Sequence, residues 1–291
     1  MDRLEIFTRY RSLLFAIAYR MLGSATDAED MMQEAWIRWQ LTQSIVQSPK
    51  AFLSSLVTRL CIDRLRSARV QREKYVGVWL PEPLIAESSK DFEDNAELSE
   101  SLSFAFLMLL ECLSPTERAI FLLREVFDYD YADIAKTVGK NIPNCRQIVR
   151  RARQHLILRR PSCNLSLQQK EEIIQQFLNS WNQGDVHSLI SLMADDAIFW
   201  SDGGGQANSA RKPLQGCDKI ARFLVAIRRS KILPKIIPKI VQINDCLGIL
   251  NSFEGKPQST FSFEFSRDRI QSIFAVVNPD KLKNKSNSYL P

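Results

Sequence analysis

The segment NCRQIVRRARQHL, residues 144–156, concentrates side chains that could bind an anionic ligand. Guanidinium groups form paired hydrogen bonds with phosphate oxygens, and no acidic residue lies between residues 141 and 161 to neutralise them. In a helix, Cys145, Val149 and Ala152 would form an apolar face, and the arginines would lie opposite it. The spacing therefore predicts a surface for a polyanion, with a solvated basic face as the alternative.

The preceding residues predict that this segment is the second helix of a helix-turn-helix. YADIAKTVG, residues 131–139, is typical of a short helix that ends at glycine, and Asn141 is a candidate N-cap of the next helix. In this motif the second helix enters the major groove of DNA. Near its N-terminus, three side chains would lie close to base edges: Asn144, Arg146 and Gln147. Further along, three arginines would contact phosphates: Arg150, Arg151 and Arg153.

A second polar cluster lies in DAEDMMQEAWIRW, residues 27–39. Helical spacing places its methionines and tryptophans on one side and Asp30, Gln33 and Glu34 on the other. From spacing alone such a patch is more often a solvated face than a binding site, so both interpretations stay open.

A third cluster, in the last third of the chain, has residue types that serve in general acid–base catalysis. Its members are His187, Asp196, Asp202, Trp181 and Trp200. Core packing of the tryptophans, with capping or solvation of the acids, explains the same residues more simply, so we assign no catalytic residue. The nearby glycines Gly203–Gly205 predict a tight turn and not a phosphate loop, because no lysine followed by serine or threonine comes after them.

The composition argues against a metal site, a cofactor or a membrane span. The chain has six cysteines without a CxxC pair and two histidines. The N-terminus lacks an apolar signal-peptide run, and the longest apolar stretch, residues 104–113, is too short to cross a bilayer. We therefore expect a soluble cytoplasmic protein that needs no cofactor. The net charge of +6 does not by itself identify a nucleic-acid-binding domain.

Secondary-structure signals divide the chain into four parts. Residues 1–75 have helical periodicity. Residues 76–95 contain WLPEP, whose prolines disfavour a helix, and then a run of acids, so we predict a flexible linker. Residues 96–160 are predicted to be helical again. Residues 166–284 combine an amphipathic helix with alternating segments such as STFSFEFS, which predicts an α+β domain.

The first 160 residues resemble a bacterial RNA polymerase sigma factor of the extracytoplasmic-function type. YRMLGSATDAEDMMQEAWIRWQ is similar to its region 2, and LSPTERAIFLLREVFDYDYADIAKTVGKNIPNCRQIVRRARQHL is similar to its region 4. The resemblance implies that Asp30, Gln33 and Glu34 bind core RNA polymerase and that region 4 reads the promoter −35 element. It also implies that basic residues near the end of region 2 contact the −10 element: Arg59, Arg64, Arg66 and Arg69.

Residues 166–284 resemble a SnoaL-like domain of the NTF2-like cone fold, an extension that one subgroup of these sigma factors carries. Three motifs carry the resemblance: WLPEP at residues 79–83, DGGG at 202–205 and NPDKL at 278–282. Gln206 stands where the subgroup usually has lysine. The resemblance implies a fused regulator in place of a separate anti-sigma factor, and it leaves open a small ligand inside the cone.

The linker itself predicts where these motifs meet. A tryptophan beside prolines cannot be buried by a local helix, so it needs an apolar surface elsewhere. We expect Trp79, Leu80 and Pro81 to dock on the C-terminal domain. The surface expected to receive them comprises Asp202, Gly203, Gly204, Gly205, Asn278, Pro279, Asp280, Lys281 and Leu282.

The sequence thus predicts a multidomain protein, with all-α region 2 and region 4 domains followed by an α+β NTF2-like domain. Its predicted function is that of a sigma factor, which directs RNA polymerase to promoters and is modulated in cis by the fused domain. Two alternatives stay open. One is a helix-turn-helix regulator that senses a ligand and works without polymerase. The other is an NTF2-like isomerase or cyclase fused to a DNA-binding module.

Overall fold

Three helices form the N-terminal domain: α1 (Arg3–Leu22), α2 (Ala25–Leu41) and α3 (Pro49–Arg72). The computed structural model describes residues 2–72, 75–86, 102–157, 165–229 and 236–283. α1 stops at Gly23, whose φ of 67° is a left-handed conformation that glycine adopts readily. Ser24 then caps α2 by accepting a hydrogen bond from the backbone N–H of Asp27.

Four shorter helices follow the linker: α4 (Phe104–Leu110), α5 (Pro115–Glu125), α6 (Tyr131–Val138) and α7 (Ile142–Ile157). α5 begins with a capping box in which Ser114 and Glu117 accept each other's backbone N–H groups. α6 ends at Gly139, and the Asn141 side chain accepts the N–H of Asn144 at 2.9 Å to start α7. α6 and α7 therefore form the predicted helix-turn-helix.

The two helical domains pack against each other through one continuous apolar core. Leu14 of α1 and Leu53 of α3 belong to the same buried cluster as Ile120 of α5. The buried guanidinium of Arg118 donates a hydrogen bond of 2.7 Å to the carbonyl oxygen of Met21, at the C-terminal end of α1. That helix end carries partial negative charge, so it favours a cation. Apolar burial and polar contacts thus act together to hold the domains side by side.

The C-terminal domain combines helices with a mixed sheet. Its elements are α8 (Leu167–Gln183), α9 (Val186–Leu192), β2 (Met193–Asp202), β3 (Leu214–Gln215), α10 (Cys217–Arg229), β4 (Ile237–Ile243), β5 (Cys246–Phe253), β6 (Lys256–Ser266), β7 (Arg269–Val276) and α11 (Pro279–Leu282). Together with β1 (Ile85–Ala86) from the linker, the strands form one sheet of order β1-β4-β5-β6-β7-β2-β3. β2 and β7 run parallel and the other neighbouring strands run antiparallel. The predicted α+β architecture of this domain is confirmed.

Aromatic side chains fill the space between this sheet and α8. Alternation along β6 places Phe261, Phe263 and Phe265 on one face, as predicted from the sequence. The ring centroids of Phe177 and Phe263 are 5.2 Å apart, and those of Trp181 and Phe261 are also 5.2 Å apart. Edge-on and tilted contacts of this kind are favourable for aromatic rings. The interior of the domain is therefore a packed aromatic core.

The first part of the linker is packed against the folded domains, which differs from the flexible linker that we predicted. Residues 80–84 are all buried, and Ile85–Ala86 adds to the sheet as an antiparallel neighbour of β4. The prolines do prevent a helix, but an extended segment can pair with an open sheet edge. Composition alone could not show that such an edge was available. The remaining linker residues, 87–95, lie outside the described residues.

We expect Gly23→Ala to destabilise the protein more than Gly139→Ala. Both glycines follow a helix with φ of 67°, a conformation in which a Cβ costs about 1–2 kcal/mol. A Cβ at residue 23 would also lie 2.7 Å from Cη2 of Trp79, whereas at residue 139 nothing lies within 4 Å. The midpoints of urea unfolding of the two variants measure the difference. Equal losses would show that Trp79 does not stay packed on Gly23 in solution.

Candidate nucleic-acid interface and interdomain contacts

The N-terminal half of α7 presents an exposed polar surface. Asn144, Arg146 and Gln147 are exposed, whereas Cys145 is buried. The guanidinium carbon of Arg146 lies 5.5 Å from the ring centroid of Tyr131. Stacking on a ring orients a guanidinium while leaving its edge N–H groups available to other partners. The three side chains predicted to read bases therefore share one accessible surface.

The three arginines predicted to contact phosphates are not equivalent. Arg150 and Arg151 are exposed. Arg153 donates two hydrogen bonds, of 2.6 and 2.8 Å, to the carboxylate of Glu125 in α5. These bonds raise the pKa of the Arg153 guanidinium. Because Arg153 already has a counterion, Arg150 and Arg151 are the better candidates for phosphate contacts.

Arg59, predicted to contact the −10 element, instead contacts region 4. Its guanidinium donates hydrogen bonds of 2.8 and 2.9 Å to the carbonyl oxygens of Thr137 and Lys136 at the end of α6. Nearby, the hydroxyl of Tyr129 donates a hydrogen bond of 2.6 Å to the hydroxyl of Ser54. Region 2 thus uses a predicted DNA-binding side chain to hold the helix-turn-helix.

Two of the other arginines predicted for the −10 element, Arg64 and Arg66, already have acidic partners. Arg64 lies 2.6 Å from the carboxylate of Asp27, and Arg66 lies 3.4 Å from that of Asp63. The side chain of Arg69 lies outside the described residues. Exposed ion pairs of this kind contribute little stability, so a phosphate could displace either acid.

The outer side of α2 carries the residues predicted to bind polymerase. Asp30, Gln33 and Glu34 lie there; the first two are exposed and the third is partly covered. Glu34 forms an ion pair of 2.7 Å with Arg38. Ile37 and Leu41, which are 51% and 73% exposed, extend the same stripe. Exposed apolar side chains bordered by polar ones mark protein-binding surfaces, and sequence reasoning missed them because it followed only the polar residues.

A buried carboxylate joins the linker to the C-terminal domain. Asp202, at the end of β2, accepts hydrogen bonds from the Tyr75 hydroxyl at 2.6 Å and from the backbone N–H of Leu80 at 2.9 Å. It also accepts from the backbone N–H of Gly204 at 3.0 Å and from the ammonium of Lys281 at 2.7 Å. Lys281 donates in addition to the carbonyl oxygen of Leu80. The three motifs WLPEP, DGGG and NPDKL therefore meet at one ion pair.

Trp79 lies between region 2 and the NPDKL motif. Its ring packs on Gly23, and the ammonium of Lys281 lies 4.4 Å from a ring centroid on Trp79. Leu80 and Leu282 belong to one small apolar cluster. Packing of this half-buried tryptophan against both domains couples their positions.

The DGGG turn and NPDKL also contact each other directly. A Cβ on Gly204 would lie 2.3 Å from Nδ2 of Asn278, so only glycine allows this approach. Gln206, which replaces the usual lysine, donates a hydrogen bond of 2.5 Å to Asp280. The other motif residues lie around these contacts, Pro81 and Gly203 buried and Gly205 and Pro279 exposed.

Sequence reasoning missed the role of Glu82 in the middle of WLPEP. Its carboxylate accepts hydrogen bonds from the Ser24 hydroxyl at 3.0 Å and from the backbone N–H of Thr26 at 3.2 Å. The backbone N–H of Glu82 donates to the carbonyl oxygen of Gly23 at 2.8 Å. The linker thus supplies a second N-terminal cap to α2. An acid between two prolines gives no local signal for capping a helix so distant in sequence.

The residues of the third polar cluster, those with side chains suited to acid–base catalysis, do not come together in the structure. His187 and Asp196 are exposed, and Trp181 is a core residue whose indole N–H donates to the carbonyl oxygen of Leu224. The carboxylate of Asp202 accepts hydrogen bonds from Tyr75 and Leu80 of the linker. Among the described residues, no group of three or more potential metal ligands lies together. The described part of the chain also contains no helix with the length and apolar character that a membrane span needs.

The turn between β4 and β5 packs against α1 and was also missed. Burial raises the pKa of Asp245 in this turn to about 6, although the guanidinium of Arg20 opposes the shift. Arg20 is itself buried, and burial lowers its pKa to about 10, against the effect of Asp245 and of Tyr19. Each charge is thus costly to bury, and each is partly stabilised by the other.

Comparisons with known proteins identify the family. Residues 6–70 match the family model Sigma-70 region 2, and residues 103–156 match Sigma-70, region 4. The ECF RNA polymerase sigma factor SigJ of Mycobacterium tuberculosis is 33% identical over 230 residues, covering 76% of this chain and 72% of that relative. The probable ECF RNA polymerase sigma factor SigI of the same species is 31% identical, covering 63% of this chain and 64% of that relative. The crystal structure of SigJ matches with a TM-score of 0.75 and 27% identity, over 96% of this chain and 97% of that one.

The chain belongs to the extracytoplasmic-function (ECF) family of RNA polymerase sigma factors. It binds core RNA polymerase and promoter DNA and directs transcription initiation, as the sequence predicted. Sigma factors act by binding and not by catalysing a reaction. Neither the polymerase-independent regulator nor the tethered enzyme is favoured.

The contact between the β4–β5 turn and α1 should weaken as the pH rises through about 6. The pKa of Asp245 is higher in contact than its ordinary value of 3.8, so forming the contact takes up a proton. The stabilisation is complete below the ordinary pKa and is lost above the raised one. Fluorescence energy transfer between dyes on α1 and on the C-terminal domain, measured from about pH 3.5 to 7 so that the scan spans both pKa values, reports the separation. Asp245→Asn should remove the pH dependence; an unchanged profile in that variant would assign it to other groups.

Proposed function

We propose that the described conformation is a closed state of the sigma factor that cannot read a whole promoter. The −10 and −35 elements are separated by roughly 20–25 base pairs, or about 70–85 Å of duplex. In the structure, Arg59 of region 2 hydrogen-bonds to α6, the helix next to the reading helix of region 4. This contact is the observation that carries the proposal, because both regions cannot occupy their elements while it persists. Activation then requires region 2 and region 4 to separate.

In the open state, α7 reads the −35 element. The exposed surface of Asn144, Arg146 and Gln147 supports base contacts, since arginine and the amide side chains pair with purine edges in the major groove. Arg150, Arg151 and, once released from Glu125, Arg153 would neutralise phosphates. Opening also frees Arg59 for the −10 element, beside Arg64, Arg66 and Arg69.

Core polymerase binds the stripe on α2. Asp30, Gln33 and Glu34 supply polar contacts, and the exposed side chains of Ile37 and Leu41 supply apolar area at the same surface. Because this stripe is accessible in the closed state, polymerase can engage region 2 before region 4 is released. Core polymerase is the obligatory partner, so we expect the protein to act in the cytoplasm, where the polymerase is.

The C-terminal domain modulates activity by holding the linker. Trp79 lies beside Lys281, and the Asp202–Lys281 pair fixes the backbone of Leu80 on both its N–H and its carbonyl side, with Pro81 buried next in the chain. The packed aromatic interior supports a protein-binding role over a ligand-sensing one. A shallow pocket lies outside that interior, lined by Gln176, Asn179, Ser180, Ser188, Ser191 and Leu192 of α8 and α9.

Run-off transcription with purified core polymerase tests this function and its reading residues. The wild-type protein should give promoter-specific transcripts with core polymerase, and alone it should bind duplex weakly. Gln147→Ala should relax the −35 preference, at about 1–3 kcal/mol for a lost paired base contact. Arg150→Ala should weaken all promoters alike and reduce the log–log salt slope by about 0.9. Tight binding to one operator without polymerase would contradict the proposal.

Lys281→Met should raise run-off yield several-fold, whereas Lys283→Met should leave it unchanged. The first variant removes the partner of buried Asp202 and the contact with Leu80, so the linker detaches. Lys283 is exposed and its ammonium pairs with the exposed carboxylate of Asp280, which makes it a matched control for the loss of a charge. Yield at the wild-type level in both variants would leave the linker as a passive spacer.

A further inference from the structure

We propose that Asn244, in the turn between β4 and β5, is a latch that holds region 2 and region 4 together in the closed state. This inference rests on the closed state proposed above, but it concerns a different contact. The motif contacts around Asp202 fix the linker to the C-terminal domain. The Asn244 contacts fix the two DNA-binding regions to each other through that domain.

The conformation of the turn that carries Asn244 follows from its two central residues, Asn244 and Asp245. Ile243 and Cys246 pair directly across the hairpin, and the two residues between them have φ of 52° and 58°. A two-residue hairpin with both central residues at positive φ is the turn in which asparagine is favoured at the first position. Asn244 therefore has a backbone reason to be there, and its side chain is left to project from the tip.

The amide oxygen of Asn244 and both N–H groups of its amide nitrogen form hydrogen bonds. Its Oδ1 accepts a hydrogen bond of 2.8 Å from the backbone N–H of Leu84. Its Nδ2 donates one bond of 2.7 Å to the hydroxyl oxygen of Tyr19 and one of 2.9 Å to the carbonyl oxygen of Leu102. The backbone N–H of Asn244 also donates to the carbonyl oxygen of Leu84. A primary amide has two N–H donors, so no other arrangement of this group would satisfy all three partners.

Those three partners come from the three parts that must move. Tyr19 is a buried residue of α1 in region 2, Leu84 belongs to the linker, and Leu102 lies two residues before the first helix of region 4. The Tyr19 hydroxyl donates in turn to the carbonyl oxygen of Glu82 at 2.6 Å. Asn244 is 1% exposed, so water cannot replace these bonds while the domains stay together. Separation of region 2 from region 4 therefore requires the amide to release at least one of them.

The surrounding interface is built to open. Thr260 and Ser262 lie opposite Val276 and Phe274 on neighbouring strands, and that face of the sheet packs on Phe104 of region 4. Both hydroxyls are buried without a hydrogen-bond partner among the described residues. Unpaired buried hydroxyls oppose docking because they recover water on separation. The bonds that do form across this interface offset that cost, and those of Asn244 join all three parts.

Single-molecule fluorescence energy transfer on the full chain tests the latch. Dyes are placed at Thr8→Cys on α1 and Lys140→Cys beside α7, both exposed positions. The background replaces Cys112, Cys163, Cys217 and Cys246 by serine, since among the described cysteines only Cys61 and Cys145 are buried. Asn244→Gly keeps the turn conformation and deletes the amide. It should raise the ratio of open to closed molecules about tenfold or more, since each buried hydrogen bond lost is worth up to about a factor of ten. Asn244→Asp, which keeps the acceptor for Leu84 and loses both donors, should also raise it.

Asn251→Ala is the matched control. Asn251 is a buried asparagine of the same sheet whose amide bonds only within its own domain, to Ser259 at 2.9 Å. If it raised the ratio as much as Asn244→Gly, general loosening of the sheet would explain the result and the latch would be wrong. A wild-type ratio in both Asn244 variants would also overturn it. If the wild-type protein failed in run-off transcription, the proposed function would be contradicted. The distance measurement would still test whether Asn244 holds the closed state.

Discussion

The arrangement of the whole chain depends on one buried carboxylate. An ionised aspartate with no exposed surface is stable only when cations and hydrogen-bond donors surround it, and Asp202 obtains its donors from three separate segments. The glycine turn that follows it supplies a backbone N–H, the end of the domain supplies Lys281, and the linker supplies Tyr75 and Leu80. Each segment is therefore held in place because the Asp202 carboxylate needs its donor. If one segment leaves, the carboxylate loses part of the hydrogen bonding that stabilises its charge.

The contacts of the closed state divide between permanent and reversible ones. The aromatic interior of the C-terminal domain is apolar and densely packed, which suits a unit that stays folded. The face of the domain turned toward the helical regions has two buried hydroxyls that find no partner among the described residues, and an aspartate whose pKa is raised by burial. The contacts between region 2 and region 4 themselves include arginines bound to backbone carbonyls. Polar groups of this type exchange protein partners for water at modest net cost. The domain thus has a densely packed interior and a surface whose contacts with the helical regions can be broken.

The features that the sequence predicted are those with local causes. Capping residues, the glycine after α6 and the alternation of Phe261, Phe263 and Phe265 act within a few residues, and all of them have the predicted structure. The meeting of WLPEP, DGGG and NPDKL was inferred because a tryptophan beside prolines needs a distant surface. Arg59, Glu82 and Asn244 could not be assigned in the same way. Their partners lie more than 50 residues away, and a single arginine, acid or amide has no periodicity that reveals such a partner.

The short strand Ile85–Ala86 has a consequence for behaviour at high concentration. It covers the outer edge of β4, whose backbone groups would otherwise be an unpaired template. When the linker leaves, that edge becomes free in the same molecule that carries a free strand of matching sequence. Two open molecules can then exchange strands and close on each other, which is the geometry of domain swapping. The strand pairing that restrains a single molecule would thus also allow two molecules to form a strand-swapped dimer.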